Sequence, residues 1–506
     1  MAEPVAWASR TIALADEAAT VLLAEDLAAI LSPGDVIRLE GDLGSGKTAF
    51  ARALIRAVAD DAELEVPSPT FTLVQVYDFP RFAIAHFDLY RLGDPQELDE
   101  IGFDEAIRSG AALIEWPERA EGLIPEDALT LSLSIGSDPN ARLAVLSGSE
   151  HHWGGRLART LAVRDFLQSA GLADARRRHL KSDASARALE RVRHGDACFV
   201  LMNHPPETDD AEGRARVAWR AAAKLAEGTR PFVALARGLG GLGLSAPRID
   251  AHDAVKGFVL MEDLGDQFVA EMGAPVPTRY RTAVELLASL HGRTLPAEIA
   301  DGEGGRYRLP LYSADDLLSQ LDPFLDWAVL EVSGRGPTPD ERTEFAALWR
   351  PLIDEVAAGP TTWGVRDFHS PNLLWLPERV GIARIGLIDF QDAAFLHPAY
   401  DVASLAEDAR VTVPEDLENE LIAHYCDCRR LDAPGFSPAA FGRAYRILAA
   451  LRASRILGVF ARLARRDGRL PYLEHYPRIT AYLSRSLAHP ALAGLRLWYE
   501  RHGAVA

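Results

Sequence analysis

The chain has 506 residues, 48% of them apolar, and a formal net charge of -19. Such a length holds roughly three domains, and such an apolar share fills large cores, which excludes a mainly disordered polymer. The acidic balance argues against direct nucleic-acid binding, where phosphate neutralisation supplies most of the affinity, so any RNA link is expected to run through a partner protein.

Positive charge is carried almost wholly by arginine: only Lys47, Lys181, Lys224 and Lys256 are lysines among the 54 basic residues. A lone lysine in the first 180 residues therefore reads as chemically required, since a compact ammonium fits between phosphate oxygens where a planar guanidinium does not. Cys198, Cys426 and Cys428 are too few for a disulfide framework or a four-ligand zinc site and read as reduced thiols. The start Met-Ala-Glu-Pro lacks the basic and apolar regions of a signal peptide, and no apolar run reaches the ~18 residues that span a bilayer. The expected compartment is the cytoplasm, with no membrane partner.

From Trp7 to about Ser149 short β-rich runs alternate with amphipathic helices, the rhythm of an open α/β domain. DVIRLEG predicts a strand ending at Gly41, and KTAFARALIRAV the helix that follows. Further strands are expected in TLVQVY, FAIAHFD, ALIEW, LTLSLSI and RLAVL. Between the first strand and helix stands GDLGSGKT, which fits the phosphate-loop pattern G-x-x-x-x-G-K-[ST] at every fixed position. In this loop Gly41, Asp42, Gly44, Ser45 and Gly46 would wrap ATP phosphates with backbone N–H groups at a helix N-terminus. Lys47 would bridge the β- and γ-phosphates and Thr48 would offer its hydroxyl to Mg²⁺. Asp88 and Glu115 each close an apolar run, which places both carboxylates at the strand edge beside the phosphates.

The combination of EGDLGSGKT, SPTFTLVQVY, HFDLYRL, ELDEIGFDE and IEWPE, in that order, resembles the TsaE family. That family is the small ATPase subunit of the machinery that makes threonylcarbamoyladenosine in tRNA. The resemblance implies Mg²⁺ on Thr48 and Glu115, a role for Asp88 at the γ-phosphate or its water, and a nucleotide-side arginine at Arg142. It also implies TsaB-like and TsaD-like partner subunits, with tRNA reached only indirectly.

SGSEHHWGGR carries Gly, Ser and His without periodicity and is expected to be a linker, with domain limits at 1–149, 150–157 and 158–506. LARTLAVRDFLQSAGL predicts a helix beyond it, and ARRRHLK reads as a solvated helix end. The remainder is helix-rich, with strands expected at CFVLMN, FVLMEDL, WGVRD and IGLIDF. GLGGLG matches G-x-G-x-x-G to the letter, but Pro247 follows and no clear strand precedes, so a mobile loop is expected.

VRDFHSPN and the later LIDF supply a second ATP signature. Asp367 would accept the proton of an attacking hydroxyl, while Asn372 and Asp389 would hold metal. A phosphate loop and a kinase catalytic loop each bring their own way of holding phosphate and Mg²⁺, so they belong to two sites. With SDASAR, VLMNHPPE, FVLMEDLGD, LASLHGR, HPAYDVASLAEDAR and LGVFARLARRDGRLPYL, this half resembles the aminoglycoside-phosphotransferase-like kinases, and among them the AmgK-like amino-sugar kinases. The resemblance implies a two-lobed protein-kinase-like fold, a hinge at Met261 to Asp263 with Glu262 near adenine, phosphorylation of the anomeric hydroxyl of N-acetylmuramate or N-acetylglucosamine, and Asp401 as a support beneath the catalytic loop. The family's phosphate-gripping lysine has no counterpart in CFVLMN; Arg187 and Arg191 are the candidates to replace it. A different small-molecule acceptor, a purely regulatory nucleotide-binding half and a partner-holding scaffold remain as alternatives.

Overall fold

The computed structural model describes residues 7–95, 97–120, 122–180 and 187–505. It divides into two compact units, Met1–Pro205 with Asp250–Asp263, and Pro206–Ile249 with Leu264–Ala506.

The first unit contains a seven-stranded sheet. Its strands are β1 (Trp7–Leu14), β2 (Val36–Glu40), β3 (Val74–Tyr77), β4 (Ala83–Asp88), β5 (Gly110–Glu115), β6 (Leu129–Ile135) and β7 (Arg142–Ser149), in the order β1-β7-β6-β2-β5-β4-β3. The central β6, β2, β5 and β4 run parallel, and antiparallel strands close both edges. Parallel strands are covered on both faces and so read as near-continuous apolar runs. Along β5, Ala111 and Leu113 enter the core beneath α1 (Glu17–Ile30) and α2 (Lys47–Ala59), while Ala112 and Ile114 enter the opposite core with Phe87, Leu98 and Phe103.

The segment expected as a linker belongs to this fold. β7 runs to Ser149, one helical turn covers Glu150–Gly154, and α3 (Gly155–Ser169) continues directly from it. Trp153 is 1% exposed, packs in the core under α1 and donates Nε1–H to Asp127 O at 2.7 Å. His152 and Arg156 both bond Asp35. Glycine and histidine masked the periodicity; the buried indole is what orders the segment.

A second sheet in the same unit has the order β11-β12-β10-β9-β8, formed by β8 (Arg176–Leu180), β9 (Ala188–His194), β10 (Ala197–Asn203), β11 (Ile249–Asp253) and β12 (Phe258–Glu262). The ARRRHLK stretch is therefore an edge strand and not a solvated helix end. Two of its arginines, Arg177 and Arg178, are drawn inward by carboxylates of α1. Arg177 donates to Asp26 Oδ1 at 2.6 Å and to Glu190 at 2.6 and 2.9 Å, all three residues being buried. Arg176 and Arg178 both pair with Glu25, and Arg178 also meets Asp60 at the end of α2 at 3.3 Å. Arg164 of α3 joins Asp26 at 2.7 Å. A charged sequence here codes for a buried ion-pair cluster that ties the two sheets together.

The second unit is mostly helical. GLGGLG does not form a mobile loop: Gly238–Gly241 are the last turn of α4 (Arg230–Gly241), whose Phe232, Val233, Leu235 and Leu239 are buried. A Cβ at Gly238 would approach the Trp363 ring at 3.2 Å, so glycine lets the helix lie against that indole. Short strands β13 (Thr362–Gly364), β14 (Leu373–Trp375), β15 (Ile385–Leu387) and β16 (Ala394–Leu396) pair as β13–β16 and β14–β15 and frame the VRDFHSPN and LIDF segments. Behind them lie α5 (Ala399–Ala406) and the 28-residue α6 (Pro438–Arg465). Among the described residues no helix is long and apolar enough to cross a membrane.

Candidate active sites

The phosphate loop joins the end of β2 to the start of α2. Gly41, Gly44 and Gly46 have φ of 134, 82 and 109°, a region that costs other residues free energy. At Gly41 a Cβ would sit 2.2 Å from Leu133 O. Lys47, the first residue of α2, donates Nζ–H to Gly41 O at 2.6 Å and Asp42 O at 3.1 Å and stands 3.7 Å from the Trp116 ring centroid. Burial lowers its pKa, against the opposing pull of Glu115, Glu118, Asp88 and Asp42. Arg142, at the start of β7, donates to Ser45 O at 2.8 Å and Gly44 O at 3.3 Å, so it braces the loop from outside. Ser45 Oγ is buried and finds no hydrogen-bond partner among the described residues, a cost that a bound phosphate oxygen would remove.

Parallel register brings the two carboxylates to one sheet edge, where Asp88 and Glu115 are Cα partners. Glu115 Oε2 accepts from Thr48 Oγ1 at 2.8 Å, and its Oε1 accepts from His86 Nε2 at 2.9 Å. Asp88 Oδ2 accepts from Ser68 Oγ at 3.0 Å and Thr70 Oγ1 at 2.8 Å, which ties the SPTF segment to the site. Sequence reasoning missed His86, although strand alternation puts it on the same face as Asp88, two residues on. The Thr48 hydroxyl and Glu115 carboxylate form the small oxygen-donor set that suits Mg²⁺, which takes one or two protein oxygens and fills the rest with water and phosphate.

In the second unit Asp367, Asn372 and Asp389 meet at one end of the β14–β15 hairpin. Asn372 directly precedes β14, and Ile388 N–H donates to Asn372 O at 3.1 Å, which brings Asp389 alongside. Asn372 Nδ2 donates to Asp367 O at 3.0 Å, and Gln391 Nε2 donates to Asp389 Oδ1 at 2.8 Å. Arg366 and Asp389 take left-handed φ of 72 and 55°, the sort of strain that accumulates where geometry serves chemistry. The loop is held from below by α5 and the turn after it. Asp401 accepts from Val365 N at 2.6 Å and Arg366 N at 2.8 Å, and Asp408 accepts from Ser370 N at 2.7 Å. Burial alone would raise the Asp367 pKa, but the charges of Arg455, His369, Arg366 and Arg452 outweigh it and hold the carboxyl below its ordinary range. An ionised carboxylate with two further oxygen donors beside it is a set of groups that phosphoryl transfer could use.

The expected hinge lies at the end of β12, where Glu262 is the Cα partner of Phe199. Arg191 donates to Asp263 Oδ2 at 2.7 Å. Ser182–Ala186 of the SDASAR segment lie outside the described residues; Arg187 lies within them.

Comparison with known proteins matches each site separately. The family described as threonylcarbamoyl adenosine biosynthesis protein TsaE covers residues 14–143, and the phosphotransferase enzyme family covers residues 176–441. An N-acetylmuramate/N-acetylglucosamine kinase of Caulobacter vibrioides is 37% identical over 360 residues, 68% of this chain and 96% of that protein. A kinase of the same description from Pseudomonas aeruginosa is 30% identical over 321 residues, 62% of this chain and 85% of that protein. A tRNA threonylcarbamoyladenosine biosynthesis protein TsaE of Rickettsia felis is 38% identical over 160 residues, 31% of this chain and 87% of that protein.

Proposed function

Because the chain belongs both to the TsaE family and to the phosphotransferase enzyme family, we propose that it carries two ATP-dependent activities, each with its own site. The first is the ATPase step of tRNA threonylcarbamoyladenosine formation. The second is anomeric phosphorylation of N-acetylmuramate and N-acetylglucosamine for reuse of cell-wall sugars. The observation that carries this reading is the presence of two complete and separate acid sets, Thr48–Glu115 with Asp88 and Asp367 with Asn372 and Asp389.

In the first half Lys47 and the loop N–H groups would hold the phosphates, Thr48 and Glu115 would hold Mg²⁺, and Asp88 would orient the attacking water. Leu43 and Phe71 are 84% and 82% exposed on the phosphate loop and the SPTF segment. Apolar side chains so placed suit a protein partner, and TsaB-like and TsaD-like subunits are the proposed ones. In the second half Asp367 would take the proton of the anomeric hydroxyl as it attacks the γ-phosphate. Mg²⁺, held there by Asn372 and Asp389, would neutralise charge on the phosphates. The cytoplasm, where ATP, tRNA and recovered sugars meet, is the proposed compartment.

The test uses the full chain. Incubation with ATP and either sugar should yield the sugar 1-phosphate, and addition of the TsaB–TsaD complex should raise ATP hydrolysis at the P-loop. Absence of sugar phosphate with either acceptor would remove the second activity, and unchanged hydrolysis with the complex would remove the first.

A further inference from the structure

His86 stands two residues before Asp88 on β4, and strand alternation gives both the same face. It is fully buried in apolar company: Ile84, two residues earlier on that face, and Leu113 of β5, its Cα partner, both belong to the core beneath α1 and α2. An aliphatic side chain would fill such a place at no polar cost. Imidazole does not, because its Nδ1 is buried and finds no hydrogen-bond partner among the described residues. The other nitrogen, Nε2, meets Glu115 Oε1 at 2.9 Å. An ionised carboxylate only accepts, so Nε2 carries the hydrogen of this bond.

Glu115 is buried as well, and its two oxygens are engaged by different elements. Oε1 is tied to His86 on the neighbouring strand, and Oε2 accepts from Thr48 Oγ1 of α2 at 2.8 Å. A carboxylate held at both oxygens does not turn about its Cγ–Cδ bond. With Oε1 occupied by the imidazole, Oε2 is the oxygen that shares the side of the Thr48 hydroxyl.

Building on the reading that Thr48 and Glu115 hold Mg²⁺, we propose that His86 is a positioning residue of that site, which fixes Glu115 so that it offers the metal one oxygen and thereby favours Mg²⁺ over Ca²⁺. Mg²⁺ demands near-octahedral geometry and keeps most of its water, whereas Ca²⁺ readily takes both oxygens of one carboxylate in a flexible shell. Released from His86, Glu115 is free to turn both oxygens to the cation, a mode that suits the larger ion. Partners of this kind, bonded to a ligand and not to the metal, set affinity by about 10- to 100-fold. The unpaired Nδ1 is then the cost of placing an N–H donor at Oε1.

The experiment measures binding, not turnover. A non-hydrolysable ATP analogue is titrated into the full chain with EDTA, Mg²⁺ or Ca²⁺, and the same titrations of Lys47→Ala supply the contribution of the second ATP site. His86→Leu removes the donor, His86→Asn keeps an amide too short to reach Glu115, and His86→Gln places an amide nitrogen near the position of Nε2. With leucine or asparagine, the Mg²⁺ concentration that half-saturates the tightening of nucleotide at the phosphate loop should rise about 10- to 100-fold. The Ca²⁺ concentration should rise less, metal-free affinity should stay at the parent value, and glutamine should behave like the parent. If the leucine variant does not fold, the asparagine variant decides. A ratio of Mg²⁺ to Ca²⁺ concentrations equal to the parent's, an equal loss of metal-free binding, or failure of both variants to fold would make His86 a packing residue and overturn the proposal. If Mg²⁺ does not tighten nucleotide at the phosphate loop of the parent, the metal reading of Thr48 and Glu115 itself fails; if it does and the variants respond alike, only the role of His86 fails.

Discussion

Asp26 of α1 and Arg177 of β8 are joined at 2.6 Å across 151 residues of sequence, and both are buried. Burial opposes the Arg177 charge, but Glu190 and Asp26 more than offset it and hold its pKa above the ordinary range. The phosphate-loop sheet and the sheet built on β8 and β9 therefore share one charged core.

Breaking one partner of such a pair leaves an uncompensated buried charge. Asp26→Ala should lower stability by about 3–5 kcal/mol, read by thermal or chemical denaturation. Residues 158–506 made alone should melt below the full chain for the same reason, since Arg177 and Arg178 would lose Asp26 and Glu25. Equal stability of the fragment and the full chain would show that the cluster contributes nothing.

Lys47→Ala should abolish nucleotide hydrolysis at the phosphate loop, because Lys47 alone supplies an ammonium among the loop carbonyls. Sugar phosphorylation is measured on the same preparation. Loss of both activities from a folded variant would make the two sites interdependent.

The strands and helices around the P-loop were legible because each carries an apolar run closed by a chemically distinctive residue: Gly41 after β2, Asp88 after β4, Glu115 after β5. Asp367, Asn372 and Asp389 were legible for the same reason, as short polar motifs at strand ends. What could not be read were features that depend on tertiary partners. ARRRHLK is polar by composition, and only Glu25, Asp26 and Glu190 turn it into an edge strand with buried arginines. GLGGLG breaks helices in isolation, and only packing against Trp363 makes Gly238 an asset. His86 needed its strand register before its contact with Glu115 could be seen.

His397 gives an acid limit to the second unit. Its Nδ1 accepts from Ala399 N–H at 3.2 Å in the first turn of α5, so the ring is required unprotonated there. Burial, with a smaller push from the His291 charge, lowers its pKa to about 4. A depressed folded-state pKa contributes stability that is present above the ordinary histidine range and is lost as pH falls from about 6.5 toward 4. With allowance for partial exposure, the loss should be on the order of 1–3 kcal/mol. His397→Asn should flatten the denaturation midpoint over that window; parallel curves for the variant and the parent would assign the acid limit elsewhere.

On the proposed reading Asp367 and Asp389 divide the labour of phosphoryl transfer, and their substitution should show it. Asp367 stands where the acceptor hydroxyl would lose its proton, so Asp367→Asn should cut sugar phosphorylation by about 10²- to 10⁴-fold and leave Mg-ATP affinity near that of the parent. Asp389 sits on a left-handed backbone beside Asn372, where on the same reading it would hold metal. Asp389→Asn should therefore weaken metal-dependent nucleotide binding as well as turnover, which a titration of ATP with and without Mg²⁺ separates. The phosphate should appear on the anomeric carbon, established by phosphorus coupling to the anomeric proton in the NMR spectrum of the product. Phosphate on another ring hydroxyl would leave the phosphotransferase assignment standing and redirect the acceptor pose at Asp367.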